Sequence, residues 1–105
     1  MGITSINNMS SQIIYDPVLS WPVPSTWSLE EATTVPLAYA MSYYVLNILS
    51  TLQKNNSVLV TSGLHPIGQA AISISLDKKC ETYAIVDSDQ QAEQLSGIFP
   101  EVLSY

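Results

Sequence analysis

The stretch that decides the fold is Val60-Thr-Ser-Gly-Leu-His-Pro-Ile-Gly-Gln-Ala-Ala71. It leaves a short apolar run, Ser57-Val-Leu-Val-Thr61, whose β-branched content reads as a buried strand. It enters a helical pattern in which Ile67, Ala70, Ala71 and Ile74 form a stripe of mostly small residues. Small side chains let a helix approach a sheet closely. Lys78 and Lys79 end this helix, where cations suit the negative end of its dipole. Thr82-Tyr-Ala-Ile-Val86 reads as a second buried strand, and Ser88 as the cap of a helix running through about Ile98. Phe99-Pro100 stops that helix, and Glu101–Tyr105 is where a third strand begins. Strand, helix and strand at this spacing predict a right-handed βαβ unit with parallel strands.

Upstream, Ser28-Leu-Glu-Glu31 is a capping box, in which Ser28 and Glu31 satisfy each other's amides and start a short helix. Pro36 suits the first turn of a second helix. Within it, Leu37, Met41, Tyr44, Val45, Ile48, Leu49 and Leu52 recur at helical steps and predict one wide apolar face. Lys54-Asn-Asn56 is a turn. Trp21-Pro-Val-Pro24 is an extended linker. Residues 1–20 are polar and irregular, with apolar pairs at Ile13-Ile14 and Val18-Leu19 that allow one or two strands.

The 105 residues are 47% hydrophobic and 11% charged, too apolar for a disordered chain and thinly charged for a free-standing domain. Three lysines, no arginine and a net charge of -6 argue against a nucleic-acid partner and against an anionic membrane surface. No apolar run approaches the roughly 20 residues of a membrane helix. The first residues lack the basic and apolar regions of a secretory signal. Cys80 is the lone cysteine, which precludes an internal disulfide and fits a reducing, cytoplasmic setting. Asn8-Met-Ser and Asn55-Asn-Ser match the glycosylation pattern, but without an entry signal they read as ordinary polar sequence. Met1-Gly2 opens a myristoylation pattern that the following residues do little to support.

A strand, a glycine-rich turn and a helix start together make a diphosphate site. Glycine permits the bend and lets amides approach the phosphates, while the helix start supplies free N–H groups and positive dipole. Gly63 and Gly68 occupy the two ends of such a turn here.

The wider pattern carries more. Val23-Pro-Ser-Thr-Trp-Ser-Leu-Glu-Glu-Ala32, Val35-Pro-Leu-Ala-Tyr-Ala-Met-Ser-Tyr-Tyr-Val45, Ser57-Val-Leu-Val-Thr-Ser-Gly63 and Ile67-Gly-Gln-Ala-Ala-Ile72 resemble, in order and spacing, the enoyl reductase domain of animal fatty acid synthases. That domain belongs to the medium-chain dehydrogenase/reductase superfamily, with polyketide synthase enoyl reductases and quinone reductases. A separate quinone reductase fits less well, because Trp27–Ala32 and Ser42-Tyr-Tyr44 are closer to the synthase version. The resemblance covers about Trp21 to Pro100. It implies an α/β fold: a partial Rossmann domain with parallel strands over residues 31–105, preceded by two helices, with residues 1–30 a remnant of a GroES-like β-barrel domain and its linker. It implies NADPH-dependent reduction of a trans-2-enoyl group on acyl carrier protein, without metal, inside a longer synthase polypeptide that dimerises. One Cys and one His agree with the absence of a zinc site.

By that resemblance the cofactor-binding residues are Ser62, Gly63, Leu64, His65, Ile67, Gly68, Asp87 and Ser88, and no catalytic residue is carried over. The family turn has inner glycines where this chain has His65 and Pro66, which points to impaired cofactor binding. A Lys-Arg pair that suits the 2′-phosphate of NADPH is replaced by Gln91 and Ala92, and Asp87 at the strand end favours NADH; the alternative is that Asp87 and Asp89 are simply first-turn acids suited to the helix dipole. The family's proposed proton donors lie in a part this chain lacks, so the isolated chain is expected to be inactive. Tyr39, Tyr43 and Tyr44 read as core or interface residues rather than acids. The contrasting expectation is a non-catalytic structural or dimerisation module derived from the same domain.

Overall fold

The computed structural model describes residues 1–4 and 10–104. Asn8 of the first glycosylation pattern lies outside the described residues. The chain divides into two compact units, Met1–Leu37 and Ala38 onward. Helix α1, Leu29–Tyr43, runs through the division.

In the first unit the chain start pairs with the linker entrance. Ile3 donates to the Leu19 carbonyl at 3.0 Å and Trp21 to that of Met1 at 2.8 Å, around an antiparallel bridge between Gly2 and Ser20. Among the described residues this single bridge replaces the one or two expected strands, and the pairs Ile13-Ile14 and Val18-Leu19 stay exposed. The capping box forms as the sequence predicts. The Ser28 amide donates to Glu31 Oε2 at 2.8 Å and the Glu31 amide to Ser28 Oγ at 3.1 Å.

Pro36 does not open a second helix. It lies inside α1, which tolerates the loss of one backbone hydrogen bond there. The change of helix comes later, where residues Tyr44–Leu49 widen into π-helical turns. The expected apolar face is also turned differently. Leu37, Met41, Tyr44, Val45, Ile48 and Leu49 are exposed, whereas Ala38, Ser42 and Leu52 are buried. The reason lies at Ser42, whose hydroxyl donates to the Ile67 carbonyl at 2.9 Å. A helix that meets another backbone so closely carries small residues at the contact.

Three parallel strands follow: β1 (Ser57–Val60), β2 (Glu81–Ala84) and β3 (Leu103–Ser104), in that order across the sheet. Ser57 registers with Glu81, Val60 with Ala84, and Tyr83 with Leu103. The connections are α2 (Pro66–Asp77) and α3 (Asp89–Ile98). Both right-handed crossovers step in the same direction, so both helices cover the same face. The core lies there: Ile72 of α2, Ala84 of β2, Leu95 of α3 and Val102, flanked by Val60, Leu64, Leu76, Val86 and Phe99. Ile72 and Leu95 are completely buried, each contributing about 1.5–3 kcal/mol.

Two burial expectations need correction. β1 is an edge strand with one open face, not a buried one, and its Leu59 is 59% exposed. On α2 the buried residues are Gly68, Ala70, Ile72 and Ser75, while Ile67, Ala71 and Ile74 are half-buried. Isoleucine at both 72 and 74 leaves the phase of the stripe open to a one-residue rotation. The end of α2 follows the lysines as expected, through a Schellman motif. Lys79 donates to the Leu76 carbonyl at 2.9 Å and Cys80 to that of Ser75 at 3.0 Å, with Lys79 at a left-handed φ of 60°. Lys54-Asn-Asn56 is a turn with Asn55 at φ 66°. Among the described residues, no helix is long and apolar enough to cross a membrane.

The capping box makes a pH prediction. The Ser28 amide, and after it the Ser28 hydroxyl, hold the Glu31 carboxyl below its ordinary value of 4.5. A lowered carboxylate stabilises the fold above its unfolded pKa and loses that contribution as pH falls through the folded one. The Ser28 amide proton signal should therefore titrate with a midpoint below 4.5, and a midpoint at or above it would refute the cap. A second prediction concerns Lys79. A left-handed φ costs a side-chain-bearing residue, so Lys79→Gly should raise unfolding free energy by about 1 kcal/mol in urea denaturation.

Candidate functional site

β1 and β2 end at the same edge of the sheet, and the turn after β1 closes over it. The Gly63 amide donates to the Ile85 carbonyl at 3.2 Å, which ties the turn to the residues after β2. A side chain on Gly63 would stand 2.9 Å from Leu95 Cδ2 and 3.1 Å from Ala84 Cβ. One on Gly68 would collide with the Ser62 carbonyl. Both glycines are thus required by the packing of α2 against β1 and of the turn against the core.

His65 has an extended backbone, φ -65° and ψ 144°, and is the N-cap of α2. Its Nδ1 accepts from the Ile67 amide at 3.3 Å, which puts the ring proton of the neutral side chain on Nε2. Pro66 is the first residue of the helix, where a missing N–H costs nothing in helix hydrogen bonding. The His65 amide donates to the Ser62 carbonyl at 3.1 Å, and the Gln69 amide to that of His65 at 2.9 Å. Gln69 Nε2 donates to the Leu64 carbonyl at 2.8 Å and braces the turn from inside α2. From Gly63 to Gln69, the amides of Leu64 and Gly68 are the ones without an acceptor among the described residues.

Beyond β2, the Asp87 amide donates to Gln91 Oε1 at 2.9 Å, and the Gln91 amide to Ser88 Oγ at 3.3 Å. Ser88 is the N-cap of α3, as its sequence position predicts. Asp87 itself is exposed.

A groove of about 280 Å³ runs along this edge, lined by Thr61, Ser62, Gly63, Leu64, His65, Ile85, Val86, Asp87 and Gln91. It gathers five of the eight candidate residues: Ser62, Gly63, Leu64, His65 and Asp87. Ile67 and Gly68 instead line a cleft of about 510 Å³ that Ser62 and His65 also reach, between the end of α1 with its π-helical turns, β1 and α2. Ser88 lines neither. Thr61, Ile85, Val86 and Gln91 were not among the candidates. For Gln91 a signal existed, since Ser88-Asp-Gln-Gln91 is itself a capping-box pattern. Tyr39, Tyr43 and Tyr44 are exposed and none lines the groove. The Cys80 thiol is buried and donates to the Gln53 carbonyl at 3.3 Å. Among the described residues, no three His, Cys, Asp or Glu side chains converge as a metal-binding set.

No protein-family model matches the chain. Individual proteins do. A highly reducing polyketide synthase of Gibberella zeae is 34% identical over 77 residues, which is 73% of this chain and 3% of that protein. The chain spans 3 to 4% of the length of such polyketide synthases. Among solved structures, the JamJ enoyl reductase superposes with a TM-score of 0.72 at 26% identity, over 88% of this chain and 28% of that one. The nucleotide-binding subdomain of the enoylreductase domain of PpsC from Mycobacterium tuberculosis gives 0.58 at 28% identity, over 65% and 38%. A quinone oxidoreductase from Thermus thermophilus, solved also with NADPH, shares the fold at a TM-score of 0.69 and 19% identity, over 79% and 28%. Parallel βαβ topology, the glycine-dependent turn and these likenesses agree: the chain is an enoyl-reductase-like segment of the medium-chain dehydrogenase/reductase superfamily, of the type found in polyketide synthases.

Proposed function

We propose that the chain is the first portion of the nucleotide domain of an enoyl reductase within a multifunctional synthase, a fatty acid synthase in the finer reading. In that reaction the β-carbon of a trans-2-enoyl group on acyl carrier protein receives a hydride. A proton added at the α-carbon completes the saturation. The observation that carries this reading is the groove at the carboxyl edge of β1 and β2, walled by the turn from Thr61 to His65 on one side and by Asp87 on the other. Ligands of parallel α/β sheets bind at that edge.

The residues present fit a dinucleotide. Leu64, whose amide has no intrachain acceptor among the described residues, lines the groove just before α2 and suits a diphosphate, whereas Gly68 lines the neighbouring cleft. Ser62 and His65 Nε2 offer two further hydrogen-bonding groups at the same turn. When bound, the nicotinamide ring supplies the hydride. This chain's part is to hold and orient the nucleotide, and none of its residues is assigned the proton. The enoyl group on acyl carrier protein, the rest of the synthase and a second copy are the partners of this reading, in the cytoplasm.

A second reading has its own observation. Pro66 has no amide hydrogen, and the amides of Gly63, His65 and Ile67 are already engaged within the chain. A turn that has given up those donors suits a structural or dimerisation module, and Met41, Val45 and Ile48 remain exposed for such contacts. Titrating the full-length protein with NADH and NADPH separates the two. Saturable binding competed by ADP-ribose, with consumption of dihydronicotinamide on a trans-2-enoyl thioester, supports the reductase. Binding of neither nucleotide, with association retained, supports the module.

Replacing both His65 and Pro66 with glycine frees the Ile67 amide and restores one at position 66. The double variant should bind dinucleotide about tenfold more tightly, the equivalent of one charge-assisted hydrogen bond. Unchanged affinity in the same titration would mean that the native turn already presents enough donors.

A further inference from the structure

The charges of this chain are sorted by the sheet. Its only cations besides the amino terminus are Lys54, Lys78 and Lys79. Lys54 precedes β1, and Lys78 and Lys79 precede β2, so all three stand at the amino edge. The hydrogen bond from the Asn55 amide to the Lys79 carbonyl, 3.2 Å, joins the two turns there. The carboxyl edge, with the groove, has Asp87 and Asp89 and no lysine or arginine. Four residues of strand separate the edges, roughly 13 Å at about 3.3 Å per residue. That exceeds the Debye length of about 8 Å at physiological salt, so the lysines are screened from a charge held in the groove.

Asp87 is fixed in place as well as in sign. The Gln91 side chain holds its amide at 2.9 Å, and Gln91 is in turn tied by its own amide to Ser88 Oγ. The carboxylate is left to the groove that Asp87 lines together with Ser62 and Gly63. An acid at the end of the second strand accepts hydrogen bonds from a ribose 2′-hydroxyl. A 2′-phosphate in its place brings negative charge against Asp87 with no lysine or arginine at this edge to offset it.

We infer that the nucleotide site of this chain takes the dinucleotide with a free 2′-hydroxyl, NADH, in preference to NADPH, and that Asp87 sets the preference. The inference rests on the nucleotide-binding reading of the same turn. It departs from the NADPH of the quinone oxidoreductase whose fold the chain shares.

The test is fluorescence titration of the full-length protein with NADH and NADPH, repeated with ADP-ribose and 2′-phospho-ADP-ribose to exclude effects of the nicotinamide. The native protein should bind each 2′-hydroxyl form about tenfold or more tightly than its 2′-phosphate counterpart. Asp87→Ser and Asp87→Asn change an exposed side chain, and both should shrink that ratio mainly by tightening the phosphorylated forms. Tighter binding of NADPH by the native protein, or an unchanged ratio in both variants, overturns the preference while leaving the nucleotide site standing. Binding of none of the four ligands overturns the site itself and the preference with it.

Discussion

The structure depends on one close approach, that of the first turn of α2 to the exit of β1. Gly68 lies against the Ser62 carbonyl so tightly that no side chain fits between them. That contact fixes where α2 begins, and the helix then lays Ile72 and Ser75 onto the sheet at intervals of four and three residues. Ile72 meets Ala84 and Leu95, and these three with Val102 make the core. The same approach puts the turn from Ser62 to His65 at the carboxyl edge, so the candidate site and the core share one geometric cause. Gly63 repeats the logic one step earlier, where Leu95 and Ala84 leave no room for a side chain.

That core is one-sided. α2 and α3 cover one face, to which Thr82 and Ala84 turn their buried side chains. The opposite face carries Leu59, Tyr83 and Leu103 in register across all three strands, with Leu59 and Leu103 more than half exposed. Met41 of α1, and Ile48 and Leu49 of the π-helical turns, are exposed as well. Doubly wound sheets bury both faces under helices.

The sequence made the topology legible because its signals there are local. Ser28 with Glu31, Ser88 as N-cap, the Lys54-Asn-Asn56 turn and the two apolar runs each act within a few residues, and each stands where the pattern puts it. The register of burial was not legible, because it depends on what lies opposite. α1 and the π-helical turns after it offer Leu37, Met41 and Val45 on one stripe and Ala38 and Ser42 on the next. A hydrophobicity argument chooses the first, but it is Ser42 of the second that meets the backbone at Ile67. α2 was misread by one residue for a related reason, since isoleucines mark both candidate faces. Of the groove, the turn from Ser62 to His65 was legible from strand-turn-helix order, and Asp87 came from the resemblance. Gln91 entered only as the replacement of a cation, although the capping-box spacing from Ser88 also marked it as a residue that holds this edge.

His65 and Pro66 show how the demands of fold and ligand separate at a single turn. The fold asks position 66 for a helical φ and nothing of its N–H, and proline meets that better than glycine. It asks position 65 for a cap, and the His65 ring supplies an acceptor for the Ile67 amide. Both residues therefore suit the start of α2, while position 66 carries no N–H and the Ile67 amide is occupied. The glycines that packing enforces, Gly63 and Gly68, are the ones that remain. Glycine in this turn thus stands where contact within the chain demands it, and the packing asks for none at positions 65 and 66.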